Sequence, residues 1–168
     1  MSGGALGDRL AALLATVFGV GYSPVMPGTM GTLAAVPLAY AVMGAGPWAL
    51  WLTTAAVTAA GTWAAGRYCA LTGQHDNQRI VIDEVAGYLL TLSLVPRSAA
   101  NLALAFLLFR LLDIVKPWPI RLVDRRVHGG FGVMADDLLA GLVGAGILRL
   151  VAPHLQALLP RVLGGAAS

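Results

Sequence analysis

The sequence predicts an all-α, multi-pass membrane protein with about four to five membrane segments, some of them short or re-entrant, and an N-terminal interfacial helix. Hydrophobic residues make up 58% of the 168 residues and charged residues 11%, whereas charged residues make up about 25% of an average chain. Mean hydropathy is +0.77, and long runs carry no charge. A water-soluble domain of this size could not bury so much apolar surface, so a membrane is the expected environment.

Composition also indicates which kind of partner the chain binds and how many domains it forms. The isoelectric point is near 9.5, but the excess of basic residues is small and lies in loops beside apolar segments, which favours anionic lipid over nucleic acid as the partner. Cys69 is the single cysteine, which excludes an intramolecular disulfide and a cysteine-based zinc site. No linker, repeat or low-complexity segment divides the chain, so we expect residues 1–168 to form one membrane-embedded domain.

The first segment predicts an amphipathic helix. Its apolar residues Leu6, Leu10, Leu13 and Val17 recur on one helical face. No small-x-small cleavage site follows the apolar stretch at 10–20, so we expect a helix that lies in the membrane interface rather than a removed signal peptide.

Five apolar runs follow the first segment, at residues 33–43, 48–66, 80–95, 99–115 and 138–151. The run at 48–66 is about 30 Å long as a helix, enough to span a bilayer, and its Trp48 and Trp51 suit an interface. The runs at 33–43 and 85–95 are short enough to be re-entrant. We expect the tail from Pro153 onward to be irregular.

The loops between these runs predict the orientation. Each predicted hairpin returns to the face that it left, which places three polar segments on one face: those before Leu33, at 67–82 and at 116–137. Most basic residues belong to that face, namely Arg9, Arg67, Arg79, Lys116, Arg121, Arg125 and Arg126, with Arg110 just beneath it, while Arg97, Arg149 and Arg161 fall elsewhere. By the positive-inside rule the basic face is cytoplasmic.

Five of the eight acidic residues lie at the ends of apolar stretches, where an unpaired carboxylate is unfavourable: Asp83, Glu84, Asp113, Asp136 and Asp137. Gly87 follows the first acidic pair and Gly141 follows the last, and glycines let helices approach closely. Two such helices could meet with their carboxylates converging. Because Mg²⁺ prefers oxygen ligands, the pattern predicts a magnesium site.

Basic residues accompany the acids near the end of the run at 99–115. Arg110, Asp113 and Lys116 are spaced i, i+3 and i+6 and share a helical face, which fits an intrahelical ion-pair ladder as well as a functional site. The basic continuation at 116–130 favours a site, because it brings cations, His128 and a diglycine next to the acids. His128 is either a general acid or a solvated surface residue, and His75 in the other polar loop is a weaker catalytic candidate.

Residues 23–32 combine two prolines, two glycines and several hydroxyl groups ahead of the first short apolar run. A helix that starts there would offer free N–H groups and a positive dipole end to an anion such as phosphate. A plain helix cap on an irregular loop is the alternative.

Together these residues predict a metal-assisted reaction at a phosphate near a membrane surface. The sequence contains neither a Walker lysine loop nor an Asp-x-Asp pair. A small divalent-cation or proton transporter would also collect intramembrane carboxylates, although a cation path would not normally gather basic residues at its entrance. A non-catalytic scaffold for anionic lipid would explain the basic loop but not the paired acids.

Four segments resemble, in this order, the signature blocks of the bacterial phosphatidylglycerophosphatase A family: GYSPVMPGTMGTL at 21–33, IVIDEVAG at 80–87, FRLLDIVKPWPI at 109–120 and HGGFGVMADDLLAG at 128–141. The resemblance extends over about residues 6–152. Met26 stands where the family often has alanine and Thr32 where it usually has serine, and neither difference removes a charged group.

The resemblance implies an enzyme that removes the terminal phosphate of phosphatidylglycerol phosphate, with Mg²⁺, at the bacterial inner membrane. It implies that Asp83, Glu84, Asp113, Asp136 and Asp137 are magnesium ligands or water activators. It implies phosphate binding by Arg110, Lys116, Arg125 and Arg126, and more weakly by Thr29 and Thr32. We expect hydrolysis by water, with a phospho-aspartyl intermediate as the alternative. Small-residue spacings at 61–65 and 140–144 could pack helices within one chain or in a homo-oligomer.

Overall fold

The structure, a computed structural model, describes residues 3–74 and 77–164. This part of the chain contains seven α-helices and no strand. The helices are α1 (Gly3–Ala15), α2 (Pro27–Gly44), α3 (Pro47–Thr72), α4 (Ile82–Thr91), α5 (Ala99–Val115), α6 (Ile120–Arg126) and α7 (Gly129–Gly164). The predicted all-α class is therefore confirmed.

Several helix boundaries differ from those that hydropathy predicts. Helix α5 has the predicted bounds, but α2 begins at Pro27, so the proline- and glycine-rich segment forms its first turns instead of a loop before it. Helix α4 covers ten residues, where a run over 80–95 was predicted. Just before α4, the Val81 N–H donates to the carbonyl oxygen of Ala15 at 2.9 Å, a bond to the end of α1 that holds this residue outside the helix.

The largest difference lies in the region predicted as a polar loop at 116–137, which contains α6 and the start of α7. Helix α7 begins at Gly129, where φ is +80°, so Asp136 and Asp137 lie inside the helix rather than at its start. A Cβ at Gly130 would overlap the Thr62 carbonyl oxygen, which shows how closely this polar first turn packs on α3. Nor is the segment after Pro153 irregular, because α7 continues to Gly164.

Helix α7 packs against α3, α4, α5 and α6, and α4 lies between it and α2. Helix α4 can occupy this central position because α4 and α7 cross at glycines: a Cβ at Gly141 would overlap the Gly87 carbonyl oxygen. The predicted close approach of these helices is thus confirmed. The small-residue spacings at 61–65 and 140–144 also pack within the chain, since Gly61 faces Met134 and Gly144 faces Thr91.

Tyr88 anchors α4 to α5 inside the core. Its side chain is fully buried, and its hydroxyl donates to the Leu102 carbonyl oxygen at 3.0 Å. Tyr88→Phe should lower the free energy of unfolding by about 1 kcal/mol, because it removes one buried hydrogen bond and little volume. Denaturant unfolding in detergent would measure this, and an unchanged midpoint would contradict it.

Among the described residues, one helical stretch is long and apolar enough to cross a membrane. It is Gly129–Leu155 of α7, with a mean hydropathy of 1.7 over 18 residues. Helix α3 has 26 residues, but its threonines, glycines and tryptophans keep its mean hydropathy below the same level. Helix α4, at about 15 Å, is too short to cross alone. The number of membrane spans remains a prediction.

Helix α1 has the predicted amphipathic character. Leu6, Leu10 and Leu13 are exposed on one side, whereas Ala11 and Ala15 are buried. Val17 does not extend the stripe, because it lies beyond the end of α1 in a turn with φ +47°. The interfacial position of α1 remains a prediction.

Candidate active site

A cavity of about 520 Å³ opens where α2 and α4 begin, α5 ends and α7 starts. Residues of all three predicted polar segments line it, which confirms that these segments lie together on one face. Its ionisable lining residues are Asp83, Glu84, Arg110, Asp113, Lys116, Asp124, His128, Asp136 and Asp137.

The five predicted acids converge in this cavity as two overlapping groups. The first consists of Asp83, Glu84 and Asp137, and the second of Asp113, Asp136 and Asp137. Within each group, one oxygen of each carboxylate lies within 4.8 Å of the others. Asp137 belongs to both groups and is 4% exposed, so it occupies the centre of the cluster.

Helix ends and the glycine crossing create this arrangement. Asp83 and Glu84 lie in the first turn of α4, where the helix dipole favours negative charge, and Asp83 Oδ1 accepts the Glu84 N–H at 3.1 Å. The second acidic pair lies in α7, and the backbone at Asp137 reaches α4 because Gly87 has no side chain there. The sequence pattern of paired acids and following glycines therefore describes a real helix contact.

Two basic side chains contact four of the surrounding carboxylates. Arg110 Nη1 lies 2.8 Å from Asp113 Oδ2 and 3.7 Å from Glu84 Oε1. Lys116 Nζ lies 2.7 Å from Asp124 Oδ1 and 2.6 Å from Asp136 Oδ2. The Arg110–Asp113 part of the predicted ladder is thus present, whereas Lys116 turns to other partners.

The charge of Lys116 is secured by these partners. Burial by itself would lower its pKa, but the hydrogen bonds and charges of Asp124 and Asp136 outweigh burial and raise the pKa of Lys116 above its usual value. A raised pKa keeps an ammonium group protonated at neutral pH. Lys116 therefore keeps a positive charge next to the acidic cluster throughout the physiological range.

The cavity remains strongly acidic in spite of these cations. Apart from His128, its described lining carries six carboxylates and two basic side chains. Like charges so close together repel one another unless a cation or protons reduce the charge. The Glu84 Oε2 atom is buried with no hydrogen-bond partner among the described residues, and all the acidic donors are oxygens. These observations fit a hard divalent cation such as Mg²⁺.

The start of α2 forms one wall of the cavity. A Cβ at Gly28 would overlap Glu84 Oε1 and lie 3.2 Å from Arg110 Nη1, so this wall needs glycine. No side chain caps the N-terminus of α2. Neither Thr29 nor Thr32 is among the described lining residues: the Thr32 hydroxyl donates to the Gly28 carbonyl at 3.0 Å, and Thr29 Oγ1 is buried.

The structure does not bring every predicted phosphate binder to the cavity. Arg125 and Arg126 are exposed on α6 and are absent from the described lining, although Arg125 lines a neighbouring groove. His128 does line the cavity, with Nδ1 3.1 Å from the Arg126 carbonyl oxygen. His75 lies outside the described residues. The chemical roles of all these residues remain predictions.

Sequence reasoning missed three polar residues of the cavity. Asp124 sits within the basic stretch at 116–130, where its charge is easily read as part of a solvated loop, yet it holds Lys116. Asn77 and Gln78 come from the loop before α4. Their position five to seven residues before Asp83 and Glu84 in the chain was the available signal, but polar loop residues near acids are common.

Comparisons with known proteins find a matching family and named relatives. A family model described as phosphatidylglycerophosphatase A matches residues 13–152. A phosphatidylglycerophosphatase A of Escherichia coli is 44% identical over 144 residues, which cover 84% of this chain and 83% of that protein. A Haemophilus influenzae protein of the same name is 38% identical over 132 residues, covering 77% and 81% of the two chains.

A third relative carries a different name. A Bacteroides thetaiotaomicron protein, provisionally named a phosphatidylinositol-3-phosphatase, is 42% identical over 141 residues, which cover 79% of this chain and 87% of that protein. No solved structure matches the chain. The family match spans most of the sequence and all four acidic and glycine-rich segments of the site. The chain therefore belongs to the phosphatidylglycerophosphatase A family.

Proposed function

We propose that the cavity hydrolyses the terminal phosphate monoester of phosphatidylglycerol phosphate, giving phosphatidylglycerol and inorganic phosphate in phospholipid biosynthesis, with the help of Mg²⁺. Family membership carries the enzyme class: the chain is a phosphoric monoester hydrolase. The observation that carries the chemistry is the convergence of five carboxylates from three helices beside Arg110 and Lys116.

The acidic cluster supports a metal-assisted route. Asp83, Glu84 and Asp137 on one side, and Asp113 and Asp136 on the other, would hold the ion. When bound, Mg²⁺ neutralises non-bridging phosphate oxygens and favours ionisation of the attacking water. Carboxylates not engaged in binding the ion can accept the proton of that water.

The basic residues have a complementary role in this proposal. Arg110 can donate hydrogen bonds to the phosphate while Asp113 keeps its guanidinium in place. Lys116 positions Asp136 through the 2.6 Å contact. In hydrolysis the water oxygen bonds to phosphorus, the bond from phosphorus to the glycerol oxygen breaks, and His128 at the cavity wall can protonate the leaving oxygen.

A cation transporter is the alternative that the acids alone would allow. The described cavity lining holds fewer basic residues than the sequence predicted. The presence of basic residues is therefore a weaker argument against a transporter than the sequence suggested. The named relatives favour the phosphatase, because both phosphatidylglycerophosphatases match over more than three quarters of the chain.

Phosphate release from lipid vesicles tests the proposal. The purified chain should release phosphate from phosphatidylglycerol phosphate. This release should stop when a chelator is added and resume when Mg²⁺ is supplied in excess. Phosphatidylinositol 3-phosphate is the second substrate to try, because one relative is provisionally named for it. Faster release from that lipid would replace the proposed substrate, and release that a chelator does not affect would remove Mg²⁺ from the proposal.

We also place the chain in the bacterial inner (plasma) membrane as a multi-pass protein with the cavity on the cytoplasmic side. Large apolar side chains on several helices face outward, such as Leu52 at 69%, Leu107 at 65% and Leu150 at 72% exposure. Monomeric soluble proteins rarely expose so much apolar surface. The chain should stay with membranes during alkaline carbonate extraction, and its release into the supernatant would contradict the placement.

Gly28→Ala tests the wall that α2 contributes. The added Cβ would overlap the carboxylate of Glu84, which can swing away because it ends a flexible side chain. We therefore expect kcat/KM for phosphate release to fall by about tenfold or more, equivalent to at least about 1.4 kcal/mol, with little loss of stability. Gly7→Ala on α1 is the control, since nothing lies within 4 Å of that position. Equal rates for both variants would show that Glu84 need not stay where it is.

A further inference from the structure

A second groove, of about 380 Å³, lies beside the acidic cavity and is formed by the end of α5 and by α6. Its lining includes Val115, Lys116, Trp118, Arg121, Leu122 and Arg125. Lys116 lines the groove and the cavity alike. The groove and the acidic cluster are therefore adjacent and share one cation.

The groove combines positive charge with apolar surface. Arg121 and Arg125 are exposed, one helical turn apart on α6, and Trp118 is 82% exposed. Arginine and tryptophan together are typical of positions where a protein meets phosphate groups at a membrane interface. The proposed hydrolysis uses neither arginine.

An apolar stripe on α5 leads to the same place. Leu107, Leu111 and Ile114 are 65%, 59% and 61% exposed and are spaced i, i+4 and i+7, so they share one face of α5. Ile114 also lines the cavity, and Val115 next to it lines the groove. The stripe thus ends between the acidic cavity and the groove, where the apolar part of a lipid could approach both.

The proposed substrate has a second charge that the cavity does not suit. Phosphatidylglycerol phosphate carries its terminal phosphate monoester and, across a three-carbon glycerol, a phosphodiester that links to the diacylglycerol. Six carboxylates line the cavity, and they would repel a second phosphate beyond the one that a metal ion and Arg110 hold. A cationic groove next to the cavity is the complementary place for the phosphodiester.

We propose that Arg121 and Arg125 bind the phosphodiester of the substrate, while Trp118 and the α5 stripe contact its diacylglycerol, so that the terminal phosphate reaches the acidic cavity. This inference rests on the proposed function and adds a subsite that selects lipids with two phosphates. The groove binds the product as well, because phosphatidylglycerol keeps the phosphodiester after the terminal phosphate leaves.

The test uses the full chain in mixed micelles and the variant Arg121→Gln/Arg125→Gln. We expect KM for phosphatidylglycerol phosphate to rise about tenfold or more, as two charge-assisted contacts are removed, with kcat changed by less than about threefold. Binding of phosphatidylglycerol, which contains no monoester, should weaken by a similar factor. The matched control Arg9→Gln/Arg149→Gln removes two positive charges from exposed positions elsewhere and should change neither quantity.

The possible results of this experiment distinguish failure of the proposed subsite from failure of the proposed activity. A wild-type chain that releases no phosphate from phosphatidylglycerol phosphate refutes the proposed function and the subsite with it. Normal wild-type release together with an unchanged KM and unchanged phosphatidylglycerol binding in the groove variant refutes the subsite alone. An equal rise in KM for the control variant would assign the effect to general attraction between the protein and anionic micelles, which also overturns the subsite.

Discussion

Asp137→Asn should lower kcat for phosphate release from phosphatidylglycerol phosphate by at least about 100-fold, because losing even a residue that only hydrogen-bonds to a metal ligand costs up to about 100-fold. Asp137 is the one acid that belongs to both carboxylate groups, so its loss weakens both. The fold should survive, because asparagine has the same shape and its neutral amide removes repulsion within a buried acidic cluster. We expect an unchanged or higher melting temperature in the absence of metal, as is common when a strained functional site is neutralised.

Asp8→Asn is the matched control for this substitution. Asp8 lies on α1 and pairs with Arg67 at 2.7 Å, with its side chain 33% exposed. An exposed ion pair contributes about 0–1 kcal/mol, so the control should retain nearly full activity. If Asp137→Asn kept the wild-type rate, the acidic cluster would have no part in the reaction.

Gly141→Ala should unfold or loosen the helix crossing on which the site depends. In most helices this exchange is stabilising by about 1 kcal/mol. Here the new Cβ would overlap the backbone carbonyl oxygen of Gly87, which cannot move without shifting α4. We expect the free energy of unfolding to fall by about 3 kcal/mol, and phosphate release to fall with it, because α4 and α7 carry the two acidic pairs.

Gly146→Ala provides the control within the same helix, since nothing lies within 4 Å of that position. It should leave activity unchanged and raise stability slightly through helix propensity. Denaturant unfolding of both variants in detergent would measure the difference. Equal stabilities for the two variants would mean that α4 and α7 do not cross closely at Gly141.

Much of the site follows from the sequence because its determinants are local. The order of acids and glycines in α4 and α7 is sufficient to predict that the helices approach and that Asp83, Glu84, Asp136 and Asp137 converge. The bounds of α5 are also predictable, because Ser98 caps its start, accepting the Asn101 N–H at 3.1 Å, and Pro117 follows its end.

Other features depend on packing that hydropathy does not encode. The first turns of α7 are glycine-rich and polar, and they are helical where Gly130 packs against the backbone of α3. The direction of Lys116 is set by Asp124 on α6, a helix of seven residues with no hydrophobic periodicity to reveal it. For the same reason the sequence could not separate Arg110, which reaches the acids, from Arg125, which lines the neighbouring groove.

Direct measurement of ion binding tests the central claim, that the carboxylates of α4, α5 and α7 hold one metal-dependent reaction centre. Mn²⁺ accepts the same oxygen ligands as Mg²⁺ and can be followed by electron paramagnetic resonance. The wild-type chain in detergent should bind Mn²⁺ saturably, Mg²⁺ should displace it, and Asp83→Asn/Asp137→Asn should bind at least about tenfold more weakly. Equal Mn²⁺ binding by the wild type and this variant would contradict the account.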